Sequence, residues 1–364
     1  MDNSILIQHR GALVDISLNR PHVLNALNDE MRAAIAEGVP RFSRDPEVYA
    51  MLMRSTSARA FCAGGDVREL TRLAKQDPAL ARASIGAEYA MNWALECFTK
   101  PTVSLIDGIA MGSGVGLVLY GTHRVAGERF SLAMPETAIG LFPDVGVSCV
   151  LAKLPGHMGR YLGLTGRSIR RAMAYRMGLV THCIDASHHH SVITSLEAAD
   201  PVDPVLDDLH ETPPQTPDDV ALAARASLIE DVFSGATVPE IFAALESKAA
   251  GLTGDAEWCA TVLAELKTKS PLALAITLRH LDHCRDLDLR NALIRDYRLA
   301  YKILAEQELQ EGVRAVLVDK DGQPKWRHQA VDLVNLEEID MYFESIGEAE
   351  LILHEREKMQ RIQG

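Results

Sequence analysis

Polar and apolar positions alternate over residues 5–8 and 12–18, on either side of Arg10-Gly11, and this period of two predicts a hairpin at the start of the chain. The spacing then changes. Asn28-Asp-Glu30 opens a stretch of helical period running to Phe42, with Asn28 in position to cap it. Short apolar runs at 50–54, 102–105 and 123–126 predict further strands, with helical sequence between them, notably at 79–98. A final strand is expected at 180–184. Strands alternating with helices indicate an α/β class. Prolines and aspartates then crowd into 199–218, where Asp200-Pro-Val-Asp-Pro204 and Pro213-Pro-Gln-Thr-Pro217 are expected to interrupt regular structure. Beyond them, 220–309 is almost entirely of helical period, with apolar positions such as Leu272, Ile276, Leu278 and Leu281. The expected organisation is an α/β core over 1–199, a Pro/Asp-rich linker or excursion over 200–218, and a helical region over 219–364.

Composition narrows the function classes. With 364 residues the chain can bury a large core in one or two domains. Its 50 acidic against 37 basic side chains give a formal charge of −13, which argues against nucleic acid or an anionic membrane as the main partner. An anionic ligand would need a local basic pocket. No apolar run reaches the length of a membrane span, and no basic or apolar leader precedes the first strand. Cys62, Cys97, Cys149, Cys183, Cys259 and Cys284 are scattered, without a C-x-x-C pair, as expected of buried, reduced thiols in a cytoplasmic protein. His188-His-His190 cannot all face one ion from regular structure, so a solvated turn is expected there rather than a metal site.

Two small-residue turns carry the candidate chemistry. Met111-Gly-Ser-Gly-Val-Gly-Leu117 follows one predicted strand and leads into apolar sequence read as a buried helix. Ala60-Phe-Cys-Ala-Gly-Gly-Asp-Val67 follows another and precedes a helical pattern from Arg68. Small residues at such places let a ligand approach backbone N–H groups at a helix start. Downstream, Met134-Pro-Glu-Thr-Ala-Ile-Gly-Leu-Phe-Pro-Asp144 supplies two carboxylates, Glu136 and Asp144. Anion-binding turns with carboxylates nearby suit chemistry on an activated carbonyl. Each carboxylate also has a structural alternative: Glu136 as a helix-start anion after Pro135, Asp144 as an N-cap for a helix running to Lys153.

In these motifs the chain resembles the enoyl-CoA hydratase/isomerase (crotonase) superfamily, and within it the 3-hydroxyisobutyryl-CoA hydrolases. The likeness extends to Leu18-Asn-Arg-Pro-His-Val-Leu-Asn-Ala-Leu27 and, far downstream, to Lys269-Ser-Pro-Leu, Asp296-Tyr-Arg-Leu and the stretch from Glu311 to Trp326. The resemblance implies a crotonase-like ββα spiral core followed by a helical region. It implies a thioesterase acting on a short acyl-CoA in valine degradation, CoA entering as part of the substrate and no separate cofactor or metal being required. Superfamily members often form trimers, and the added helices either cover that surface or offer another, so the oligomeric state stays open.

Residue by residue, the resemblance assigns the oxyanion donors to the N–H groups of Gly65 and Ser113. The loss of one such donor costs roughly 3–4 kcal/mol in transition-state stabilisation. It assigns catalysis to Glu136 and Asp144, and substrate contact to Glu88, Ser113, Glu136 and Asp144; a solvated helix face is the structural alternative for Glu88. Arg20, His22 and Ala63 fall in the CoA-binding segments, with Arg54, Arg59 and Lys320 as other cations. Asp66 is read as bonding its own turn. The chain departs from the pattern at Ser113, Val147 and Ser148, where the hydrolases usually have glycine, and at His22, where lysine is common. Hydratases hold one water between two glutamates; the first of these positions falls on Gly116, which has no side chain. Hydrolysis is therefore the expected reaction, with enoyl-CoA isomerisation or hydration, or a non-catalytic acyl-CoA-binding role, as the rivals.

Overall fold

The computed structural model describes residues 3–251 and 254–364. Ten strands form in chain order: β1 (Ile5–Arg10), β2 (Leu13–Leu18), β3 (Ala50–Ser55), β4 (Ala60–Cys62), β5 (Thr102–Ile106), β6 (Ile109–Met111), β7 (His123–Ala126), β8 (Ser131–Ala133), β9 (Ile169–Arg170) and β10 (His182–Cys183). They build a six-stranded sheet in the order β1-β2-β3-β5-β7-β10 and a four-stranded sheet in the order β4-β6-β8-β9. Only β1/β2 and β8/β9 run antiparallel. Each of the pairs β3–β4, β5–β6 and β7–β8 sends its first strand to the large sheet and its second to the small one. That repeated step, with helices between, is the spiral expected of the core.

The opening hairpin closes Leu13 against Arg10, and Asn28 caps the helix Asp29–Arg44 by accepting from the Met31 N–H at 3.0 Å. Two expectations change. The last strand shrinks to β10, with Val180 and Ile184 buried beside it. Within 200–218, where no regular element is expected, the helix Val202–Leu209 forms. Its prolines cause no loss, because Pro201 is the N-cap and Pro204 lies in the first turn, where no intrahelical N–H donation is required. Val202 and Leu206 pack with Leu13, Leu52, Val103 and Val125, so this helix covers the outer face of the large sheet.

The remaining helices, from Pro217 onward, join the main core that also holds the inner residues of both sheets. Two of them, Pro271–Cys284 and Leu289–Ile303, pack against the elements that carry the candidate site. All six cysteines are buried and free. The histidine triplet is the start of a helix, His189–Glu197, with His188 and His190 exposed, rather than a turn. Among the described residues, no helix is long and apolar enough to cross a membrane.

Candidate active site

The first CoA-like segment is built around Asn25. Leu24 and Asn25 both take left-handed backbone, φ 54° and 57°, and asparagine tolerates this because its side chain can bond locally. Asn25 is fully buried; its Nδ2 donates to Ser55 Oγ at 2.6 Å and to the Phe61 carbonyl at 2.9 Å, tying the segment to β4. A parallel bridge between Leu27 and Gly65 then fixes the end of the segment against the second turn. Arg20 reaches across the same junction, donating to the Ala26 carbonyl at 2.6 Å and to Asp66 at 3.2 Å. Its guanidinium thus braces two segments. Asp66 also accepts from the Glu69 N–H, capping the helix Val67–Gln76, as expected of a turn-bonding residue. Ala63 donates its N–H to the Leu24 carbonyl at 3.0 Å, while His22 lies exposed on the outer turn. Arg54 is held by Asp15 at 2.7 Å.

The two glycine-rich turns meet. A Cβ on Gly65 would stand 2.9 Å from Ser113 Oγ. Neither the Gly65 nor the Ser113 N–H has an acceptor among the described residues. The helix that Ser113 opens is a single turn, Ser113–Gly116, shorter than the apolar run suggests. So short a helix has little macrodipole, and a bound anion would be held by the two N–H groups themselves. Gly114 permits the arrangement, since a Cβ there would lie 2.3 Å from the Cys62 carbonyl oxygen. Gly112, at φ 48° and ψ −124°, lets Glu136 Oε1 come within 2.9 Å of where its own Cβ would be. Glu136 therefore sits directly against the Gly112-Ser113 turn, the one the resemblance reads as an oxyanion turn.

Glu136 opens the short 3₁₀ turn Glu136–Ile139 and is 6% exposed, and its Oε2 is buried without a partner. A carboxylate kept merely as a helix-start anion belongs in water. Asp144 is not the cap of the next helix, which runs Val147–Leu151 and is capped by Gly146. Its Oδ2 instead accepts from the Tyr89 hydroxyl at 2.7 Å. Burial, and next the charge of Asp144, push Glu136 well above the ordinary carboxylate range. Asp144 is raised in the same direction by burial, then by the Glu88 charge, with the Tyr89 hydrogen bond opposing. Glu88 is buried rather than on a solvated face; Arg32 donates to one of its oxygens at 3.1 Å and the other is unpaired.

Where a hydratase would carry its first glutamate, the ground is filled. A Cβ on Gly116 would meet Val145 Cβ at 2.8 Å and Asn92 Nδ2 at 3.1 Å. Val145 is held at φ 51°, a costly conformation for a β-branched residue. Three bonds keep it there: Tyr120 Oη donates to the Val145 carbonyl at 2.7 Å, the Ser148 hydroxyl to the Pro143 carbonyl at 2.6 Å, and the Gly146 N–H to Asp296 Oδ2 at 2.6 Å. The serine that departs from the family pattern is thus used to hold the Asp144 loop.

Asp296 and its partner His280, 2.6 Å away, are both fully buried and come from the C-terminal helices. The same region braces the Glu136 turn. Ser270 N–H donates to the Thr137 carbonyl at 3.1 Å, and Gly312 is pressed so closely on Ile139 that a Cβ would lie 2.3 Å from its carbonyl. Sequence reasoning misses Asn25, Arg32, Tyr89, Asn92, His280 and Asp296. Asn25 and Asp296 are visible as members of motifs that carry the resemblance, though with no role attached; the others leave no local signal.

A family model described as enoyl-CoA hydratase/isomerase matches residues 13–343. Among curated proteins, the chain is 37% identical over 358 residues to the mitochondrial 3-hydroxyisobutyryl-CoA hydrolase of Xenopus tropicalis, covering 97% of this chain and 91% of that one. It is 35% identical over 353 residues to the human mitochondrial 3-hydroxyisobutyryl-CoA hydrolase, covering 95% and 90%. Among solved structures it is similar to a carnitinyl-CoA dehydratase from Mycobacterium thermoresistibile, with 34% identity, a TM-score of 0.88 and 96% and 98% coverage. It is equally similar to an enoyl-CoA hydratase from Rhodobacter sphaeroides, with 35% identity, a TM-score of 0.87 and 96% and 100% coverage.

Proposed function

Since the chain belongs to the enoyl-CoA hydratase/isomerase family, we propose that it is an acyl-CoA thioester hydrolase whose substrate is 3-hydroxyisobutyryl-CoA, the thioester named in its curated relatives. The observation that carries this reading is the filled space in front of Gly116. Hydration by two glutamates needs a second carboxylate there; Val145 and Asn92 leave no room for one. The carnitinyl-CoA dehydratase and enoyl-CoA hydratase structures share the fold, and the arrangement of carboxylates decides the chemistry.

The N–H groups of Gly65 and Ser113 receive the thioester oxygen as negative charge develops on it. Glu136, against that turn and with one oxygen unpaired, delivers oxygen to the carbonyl carbon, either directly as nucleophile or through a water that it deprotonates. In the direct route the C–S bond breaks as CoA thiolate leaves, an acyl–Glu136 anhydride forms, and water opens it. In single turnover in ¹⁸O-water, label in the Glu136 side chain identifies this route, with water attacking the glutamyl carbonyl. Asp144, oriented by Tyr89, receives the acyl 3-hydroxyl. The products are a 3-hydroxy acid and CoA, and a step of valine breakdown is the role that fits them. No cofactor enters the scheme.

The deciding experiment measures free-thiol release across 3-hydroxyisobutyryl-, 3-hydroxypropionyl-, isobutyryl- and crotonyl-CoA. Thiol release from the hydroxyacyl thioesters is expected, with little hydration of crotonyl-CoA. Rapid hydration with no thiol released from any hydroxyacyl thioester would overturn the reading. Replacing Asp144 by alanine is expected to lower kcat/KM for 3-hydroxyisobutyryl-CoA far more than for isobutyryl-CoA, since an acceptor for the hydroxyl is removed. An equal fall on both would instead give Asp144 a proton-transfer role.

A further inference from the structure

Asn92 is a buried polar side chain beside Gly116 to which the scheme above gives no chemical role. It lies in the helix Pro78–Glu96, one turn beyond Glu88, so both side chains leave the helix on the same face. The residue is completely buried, and neither Nδ2 nor Oδ1 has a hydrogen-bond partner among the described residues. Folded chains seldom leave a carboxamide in that state unless function supplies the partner. Its Nδ2 faces Gly116, the last residue of the one-turn helix opened by Ser113, and its neighbour there is Val145, next in sequence to Asp144. Glu88 Oε1 and Glu136 Oε2 are likewise buried and unpaired. Other buried, unpaired polar atoms are scattered through the described residues, but Asn92 and Glu136 are the two that stand against the 112–116 turn.

Complementarity selects the ligand group. A hydroxyl offers one proton to donate and two lone pairs to receive. The proton has acceptors in plenty, with Asp144, Glu88 and Glu136 all carboxylates. The lone pairs need an N–H or O–H donor, and the Tyr89 hydroxyl is already given to Asp144. The Asn92 amide is the uncommitted donor beside Val145 and Gly116. We propose that Asn92 is a substrate-contacting, specificity-determining residue whose Nδ2–H donates to the 3-hydroxyl oxygen of the acyl group, opposite the carboxylate that takes the hydroxyl proton. The proposal rests on the hydroxyacyl reading of the site. It gives a use to the neutral amide packed beside Gly116: the group recognises a hydroxyl already present on the substrate. A plain acyl chain leaves the amide unpaired and binds less well for that reason.

The test is equilibrium binding to Glu136→Gln protein, which retains the thioester long enough to titrate, using 3-hydroxyisobutyryl-CoA and isobutyryl-CoA as ligands. Adding Asn92→Leu, similar in size and apolar, is expected to reduce the preference for the hydroxylated ligand by about tenfold or more. Affinity for isobutyryl-CoA should change little, and the melting temperature should hold or rise, because an unpaired buried amide has been removed. An unchanged preference overturns the proposal. So does an equal loss of both affinities with a lowered melting temperature, which makes Asn92 a packing residue. If the leucine variant does not fold, Asn92→Ala gives the same comparison, with no side-chain donor at the position. Thiol release by the unaltered protein tests the hydrolytic reading separately, so either idea can fail without the other.

Discussion

Burying Glu136 and Asp144 within reach of each other's charge ties their protonation together, and this has a measurable sign. Glu136 must be ionised to act, and burial and the Asp144 charge both raise its pKa. Activity should therefore fall, as pH is lowered, at an apparent pKa above the ordinary carboxylate range. In Asp144→Asn one of the two causes is gone, so the limb should move to lower pH; a limb that stays put in a kcat/KM profile would disprove the coupling. Glu136→Gln keeps the shape but not the basicity, and a loss of about 10²–10⁴-fold or more in turnover is expected, with CoA binding retained. Near-normal turnover would make Glu136 a structural carboxylate. Glu136 and Asp144 stand out in the sequence because both lie in one short motif with Pro135, Gly140 and Pro143. Asn92 does not, because an unpaired amide in a helix looks like any other helical polar residue until its surroundings are known.

At the level of elements, the strand and helix order was readable wherever the period was clear and the cap local, as at Asn28. The helix Val202–Leu209 escaped notice because proline signals a break unless it falls within the first turn, and that depends on where the helix begins. The support of the Asp144 loop escaped for another reason: Gly146 and Asp296 are 150 residues apart. Asp296→Ala should leave both the buried His280 and the Gly146 N–H without their partner. The expected cost is about 3–5 kcal/mol in denaturant unfolding, the range for breaking one side of a buried pair. Asp296→Asn, which keeps an acceptor for the Gly146 N–H, should cost much less. Equal stabilities for the two variants and the parent would show that this clamp holds nothing.

For the whole molecule, the α/β core supplies every residue that touches the substrate in the proposed scheme, and the C-terminal helices supply the pressure that shapes them. Ser270, Gly312 and Asp296 brace the two loops that hold the carboxylates. Backbone amides across 136–148 should therefore open together with the helices Pro271–Cys284 and Leu289–Ile303, as one cooperative unit in native-state hydrogen exchange. Exchange of that segment in step with β5 and β7 instead would assign its support to the sheet.

The 150-residue separation between Gly146 and Asp296 also has a consequence for the chain as it is made. A ribosome delivers the strands, both glycine turns and both carboxylates long before it delivers the helices that fix them, and earlier-made parts fold first. During that interval Glu136 and Asp144 lack the contacts of Ser270, Asp296 and Gly312 that confine their loops. A nascent chain stalled before Ser270 carries the whole catalytic inventory in the wrong electrostatic setting, and competence arrives as a late event of synthesis, when the last-made helices close over the first-made half.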